Sequence, residues 1–296
     1  MSAGYRLAIA RCYYDLGDRN NAITFAEQVI NQSPEYVRFI RYDALNGLTN
    51  EMQTLSAEGV DDFQPLPRLD FLDPKYSGAT AIEEAPIAIL KAEEAYFILA
   101  EAQIADNQLV NAQTTLKTLL ALIAQRPVKT IDDSAENRGR EGGNRQDYPN
   151  NPAYLIAASP NDPLLGGLVL DRQAGPVSVP AISGTSVDSA AIDLANTEET
   201  LLELLYLMRQ EVFIAEARRM FDLGIKFPIS QIEVNNNANI EPNSPFIQAQ
   251  IPDFIPGNFG MDEFTANEAN LEIVINFNMN RILVQNRASE FVLPFH

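Results

Sequence analysis

Two stretches of the chain repeat one pattern of small and apolar residues, and that repeat limits the fold more than any other feature. Residues 5–34 read YRLAIARCYYDLGDRNNAITFAEQVINQSP. Ile9, Ala10, Tyr13 and Leu16 recur at the spacing of one helix face, and so do Ala22, Phe25, Ala26, Val29 and Ile30. Gly17-Asp18 separates the two sets, and glycine is the favoured residue just past a helix end. Pro34 closes the pair. Residues 95–124 repeat the scheme after a shift of 90 residues: Leu99 answers to Ile9, Ala100 to Ala10, Asn107 to Gly17, Ala112 to Ala22 and Leu119 to Val29. Asparagine tolerates the left-handed conformation that the turn needs. Each stretch therefore predicts two amphipathic helices that bury facing stripes across a short turn, and the fold class is mainly α.

Ala10, Tyr13, Gly17-Asp18, Ala22, Phe25, Ala26 and Pro34 together resemble a tetratricopeptide repeat. The two copies are not tandem at ~34 residues as in a solenoid. Between them, 34–58 reads as a third helix, and the proline-rich 61–79 as extended chain. Residues 127–195 are dense in Gly, Asn, Asp and Pro and predict a loop-rich insertion. A helix is predicted over 197–223, capped by Thr197 and apolar on more than one face, hence central. Residues 225–296 are irregular, with candidate strands at 272–277 and 291–295.

Several chemistries are excluded by what is missing. His296 is the only histidine and Cys12 the only cysteine, so a Ser-His-Asp site, a Cys-His site and a Cys- or His-based metal centre have no residues to use. Cys12 reads as a small buried thiol inside a helix. No GxGxxG, GxxxxGK[ST] or GxSxG occurs. No catalytic residue, cofactor or metal is expected. The net charge is −19, and residues 51–106 hold twelve acidic and three basic residues. Such a field repels phosphate backbones, so nucleic acid is a poor partner.

The late segment RQEVFIAEARRMFDLG, with Arg209, Glu211, Glu216, Arg219, Asp222 and Leu223, resembles the SusD/RagB family of nutrient-binding outer-membrane lipoproteins of Bacteroidetes. ILKAEEAYFILAEAQIADNQLVNAQ resembles that family's second repeat. The resemblance spans roughly 5–125 and 197–230. It departs at Ala217, where the family usually has glycine, and in the absence of tryptophan. It implies one SusD-like domain over 1–296, lipid-anchored on the cell surface by an upstream segment. It further implies binding of a nutrient, a glycan above all, and delivery to a SusC-like TonB-dependent transporter. The alternative is an intracellular TPR-like adaptor for protein segments.

Two residue sets follow. Arg209, Glu216, Arg219 and Asp222 fall along one diagonal of the predicted helix, where a mostly apolar surface requires them to pair; they are read as a structural ion network. The acidic doublets Asp61-Asp62, Glu83-Glu84, Glu93-Glu94 and Asp132-Asp133 read as solvated faces. Ligand contact is assigned to loop aromatics and their polar neighbours: Tyr148, Tyr154, Arg145 and Asn150 in the insertion, and Tyr76 in the earlier extended segment. Arg138, Arg140 and Arg145 are offset by Glu136, Glu141 and Asp147, so with a net charge of −19 a glycan ligand is expected to be neutral or cationic rather than strongly anionic.

Overall fold

A computed structural model describes residues 1–50, 84–131, 152–169, 175–241, 243–256, 263–292 and 295. Helix α1 (Ala3–Asp15) and helix α2 (Arg19–Gln32) form the first hairpin. Gly17 makes the turn at φ +72°, and the Asp18 side chain caps α2 by accepting from the Asn21 N–H at 3.2 Å. The buried stripe of α1 is Gly4, Leu7, Ala10 and Tyr14 rather than the one ending on Leu16, which is exposed. This rotation places Tyr14 Oη in the interior, where it donates to the Glu101 carboxylate at 2.6 Å. It also leaves Cys12 exposed, against the expectation of a buried thiol. Tyr13 stacks on Phe25 at 5.8 Å across the hairpin.

Helix α3 (Glu93–Ala105) and helix α4 (Leu109–Ala124) form the second hairpin, with Asn107 at φ +57° in the turn. Both turns thus lie where the repeat predicts them. Helix α2 packs on α3, which joins the hairpins into one scaffold. The chain between them departs from the expectation of a helix over 34–58. Strand β1 (Val37–Ile40) pairs antiparallel with strand β2 (Ile87–Lys91), Val37 opposite Lys91 and Ile40 opposite Ile87. Pro34 stops α2, and the β-branched and aromatic side chains of VRFI suit a pleated surface better than a helix.

Strand β3 (Val128–Ile131) pairs with strand β5 (Val177–Pro180). Strand β4 (Leu155–Ala157) lies parallel to β7 (Glu272–Ile275), whose other edge takes β6 (Phe264–Asn267). Helix α5 (Ser189–Leu194) leans on α4. Helix α6 (Glu198–Val212) opens on a capping box between Thr197 and Thr200. It packs on α3 and receives helix α9 (Met279–Gln285) on its far side. Short helices α7 (Arg219–Asp222) and α8 (Gln231–Asn236) follow α6 in sequence. Residues 291–292 form a turn and a bend instead of a strand. Phe295 docks on the first hairpin: its ring meets Tyr14 edge-on at 5.1 Å, and its carbonyl accepts from Arg19 Nη2 at 2.9 Å. One continuous apolar core runs from Leu7 to Phe295. Among the described residues, no helix is long and apolar enough to cross a membrane.

Candidate functional site

The expected helix over 197–223 ends at Val212. Lys91 on β2 meets that end: its ammonium, buried to 1% exposure, donates to the Val212 carbonyl at 2.5 Å and to Glu216 Oε1 at 2.7 Å. A cation there satisfies a terminal carbonyl and complements the negative end of the helix. The chain then turns through Ala215 at φ +59° and Ala217 at φ +56° before α7 begins. The four charged residues of the late motif therefore do not run along one helix diagonal. The turn folds Asp222 back onto Arg209, with Nη2 to Oδ1 at 2.6 Å and both side chains buried. Glu216 goes to Lys91, and Arg219 is half-buried at the start of α7.

Left-handed backbone costs an L residue roughly 1–2 kcal/mol, and glycine escapes that cost. The position where the family resemblance calls for glycine, Ala217, is one of the two strained alanines. Ala217→Gly is expected to stabilise the protein by about 0.5–1 kcal/mol once the larger unfolded-state entropy of glycine is subtracted. Urea unfolding checks this, and an unchanged or lowered midpoint refutes it.

The doublet Glu93-Glu94 does not form a solvated face. Both side chains are buried at the start of α3 and, being neighbours on a helix, point to different partners. Glu93 takes Arg126 in a two-bonded grip at 2.8 and 2.7 Å and accepts from Ser183 Oγ at 2.7 Å. Glu94 takes Arg11 the same way at 2.7 and 2.6 Å and is shared with Arg218 Nη2 at 2.8 Å. Burial pushes both carboxyls up. For Glu93 the Arg126 hydrogen bond and the Lys91 charge outweigh it; for Glu94 the Arg218 charge and the Arg11 hydrogen bond do, so both are held below the usual glutamate range. Glu211 accepts from Thr185 Oγ1, Ser186 Oγ and the Ser186 N–H. Burial raises the Tyr14 phenol well above its ordinary value, and the adjacent Glu101 charge adds to the shift.

Phe213 sits among these cations. Lys91 Nζ lies 4.9 Å from its ring centre, and the guanidinium carbons of Arg218 and Arg209 lie at 5.5 and 5.7 Å. The ring faces stabilise cations that the apolar core would otherwise disfavour. The result is a clasp of buried ion pairs binding α1, β2, α3 and the turn after α6. A signal for it exists in the sequence: α3 is apolar on every side, so a charge on it has no route to water and must be paired.

Beside the clasp a cleft of about 630 Å³ opens between the β1–β2 pair and the turn after α6. Its walls are largely apolar, with Glu216, Arg218 and Arg219 as the charged lining groups. Among the described residues, no cluster of three or more His, Cys, Asp or Glu is placed to hold a metal ion.

Of the residues assigned to ligand contact, Tyr76, Arg145, Tyr148 and Asn150 lie outside the described residues, as do Asp61-Asp62, Glu83 and Asp132-Asp133. Tyr154 is described, and it is not an exposed loop aromatic. Only 3% exposed, it forms a small second core with Ile156 and Ile273, because it leads directly into β4. No curated protein and no solved structure matches the chain. Residues 5–36, which cover all but the first two residues of the first hairpin, match the tetratricopeptide repeat family model.

Proposed function

We propose that this chain is a non-catalytic, nutrient-binding subunit of the SusD/RagB type, held at the outer-membrane surface by a lipid anchor and passing its ligand to a SusC-like TonB-dependent transporter. The tetratricopeptide hairpin supports the coarser part, an interaction or scaffold role. The observation that supports the finer part is the use made of the late motif. Arg209 and Asp222 pair with each other between α6 and α7, and Glu216 ties the turn after α6 to Lys91 on β2, all with buried side chains. Charges so consumed do not serve acid–base chemistry, and they leave a rigid helical body from which loops present a ligand site. The ligand favoured is a neutral oligosaccharide, because the net charge of −19 opposes polyanions.

The test expresses the complete gene product in a Gram-negative host with an outer membrane. Expected are protease accessibility on intact cells, co-purification of a TonB-dependent transporter, and saturable oligosaccharide binding by calorimetry that changes little with salt. A cytoplasmic protein that co-purifies with soluble partners and binds no glycan would overturn the proposal in favour of an intracellular adaptor.

A further inference from the structure

We infer that the cleft between the β1–β2 pair and the turn after α6 is a binding site for an amphipathic carboxylate, a hydrocarbon chain carrying one carboxyl group, of the fatty-acid class. Three independent observations converge on it. The first is size and lining. At about 630 Å³ the cleft falls in the range of ~300–1,000 Å³ that small-molecule sites occupy. Ile40, Ile87, Ile89, Ile214 and Met220 supply its walls. Ile40, Ile89 and Met220 are each about 40% exposed, so apolar surface remains in water that a hydrocarbon chain would cover.

The second is strain. Ala215 and Ala217, both left-handed, form part of the same wall. Strained non-glycine backbone persists where surrounding structure over-determines it, and such positions cluster at ligand sites. Here the over-determination is visible: Lys91 holds Val212 and Glu216 on either side of Ala215.

The third observation selects the charged head. Glu216 faces the cleft but is neutralised by Lys91 from beneath. Arg218 shares Glu94 with Arg11, which occupies both carboxylate oxygens, and Arg218 Nε has no acceptor at all. Asp15, whose charge reaches both arginines, hydrogen-bonds to neither. A guanidinium with one buried, unanswered donor beside an apolar cleft matches a carboxylate in both shape and charge. A neutral alcohol of equal chain length would fill the same walls and leave that donor unanswered.

The inference does not rest on the glycan reading, and each can fail alone. The test titrates the purified chain with dodecanoate, kept below its micelle-forming concentration, then with dodecanol and with acetate. Dodecanoate is expected to bind saturably at one equivalent and to raise the unfolding temperature. Dodecanol is expected to bind about tenfold more weakly, and acetate not measurably. Ile40→Asp and Ile89→Asp alter exposed positions that leave the clasp intact, and both should abolish dodecanoate binding with little change in unfolding temperature. Arg218→Gln should bring dodecanoate down to the affinity of dodecanol; if that variant does not fold, the two isoleucine variants still decide the site and dodecanol still decides the head group. Absence of saturable dodecanoate binding, unchanged binding in both isoleucine variants, or equal affinity for dodecanol overturns the inference.

Discussion

Glu94→Ala is expected to destabilise the protein by about 3–5 kcal/mol, the range for removing one partner of a buried ion pair. The side chain is buried and answers two guanidinium groups, so its loss strands Arg11 and Arg218 together on the edge of the core. The control is Lys117→Ala, which removes a pair with the well-exposed Asp193 and should cost less than ~1 kcal/mol. Urea unfolding of both variants separates the cases; a Glu94→Ala cost no larger than the control would refute the clasp. The same carboxylates set an acid limit. Glu93 and Glu94 are held below the glutamate value of ~4.3, so the unfolded chain binds their protons first as pH falls. Their contribution is fully present above pH ~4.3 and is lost as pH falls from there through the folded values. In Glu94→Ala this stretch of the stability–pH curve should be flatter than in the parent protein.

Gly224→Ala is the second large effect expected. Gly224 lies at φ +77°, and a Cβ there would stand 2.2 Å from the Phe291 carbonyl oxygen and 2.9 Å from its carbon. The obstacle is backbone and cannot rotate away. The left-handed penalty, about 0.5–1 kcal/mol once the unfolded-state entropy of glycine is subtracted, adds to a backbone displacement of about 1–3 kcal/mol. Moving Phe291 also disturbs its contact with Lys226, whose Nζ lies 4.5 Å from the ring centre. Gly47→Ala isolates the first contribution: φ is again +77° but nothing lies within 4 Å, so only about 0.5–1 kcal/mol is expected. Equal costs at the two positions, measured by thermal unfolding, would show that the contact with Phe291 relaxes freely.

The contrast between these glycines mirrors what the sequence could and could not reveal. The two hairpins were legible because their determinants are local: a 3.6-residue period, a turn residue that tolerates positive φ, a proline stop. The fine rotation of α1 was not, because Leu7 and Tyr14 are chosen over Ile9 and Leu16 by Glu101, a partner far along the chain. The segment 37–40 reads as helix in the sequence for the same reason, since its pairing partner is β2. The break after Val212 left no trace in hydrophobic period, because Phe213 and Ile214 continue the apolar run and alanine is the strongest helix former. The ammonium of Lys91, arriving from another element, meets the helix end at the Val212 carbonyl. Charges at Arg209, Glu216 and Asp222 on an apolar segment call for partners, but that Glu216 finds Lys91 and that Glu93 and Glu94 are buried belongs to tertiary structure. The ligand residues assigned from loop composition remain a proposal, apart from Tyr154, which turned inward.

The docking of Phe295 on the first hairpin has a bearing on how the chain is made. Residue 295 must have left the ribosome before Arg19 and Tyr14 acquire their last neighbours. At about 5–20 residues per second, the first hairpin waits roughly 15–50 s after its own synthesis for that contact. That contact is therefore paced by translation through residue 295 rather than by the intrinsic speed of helix formation.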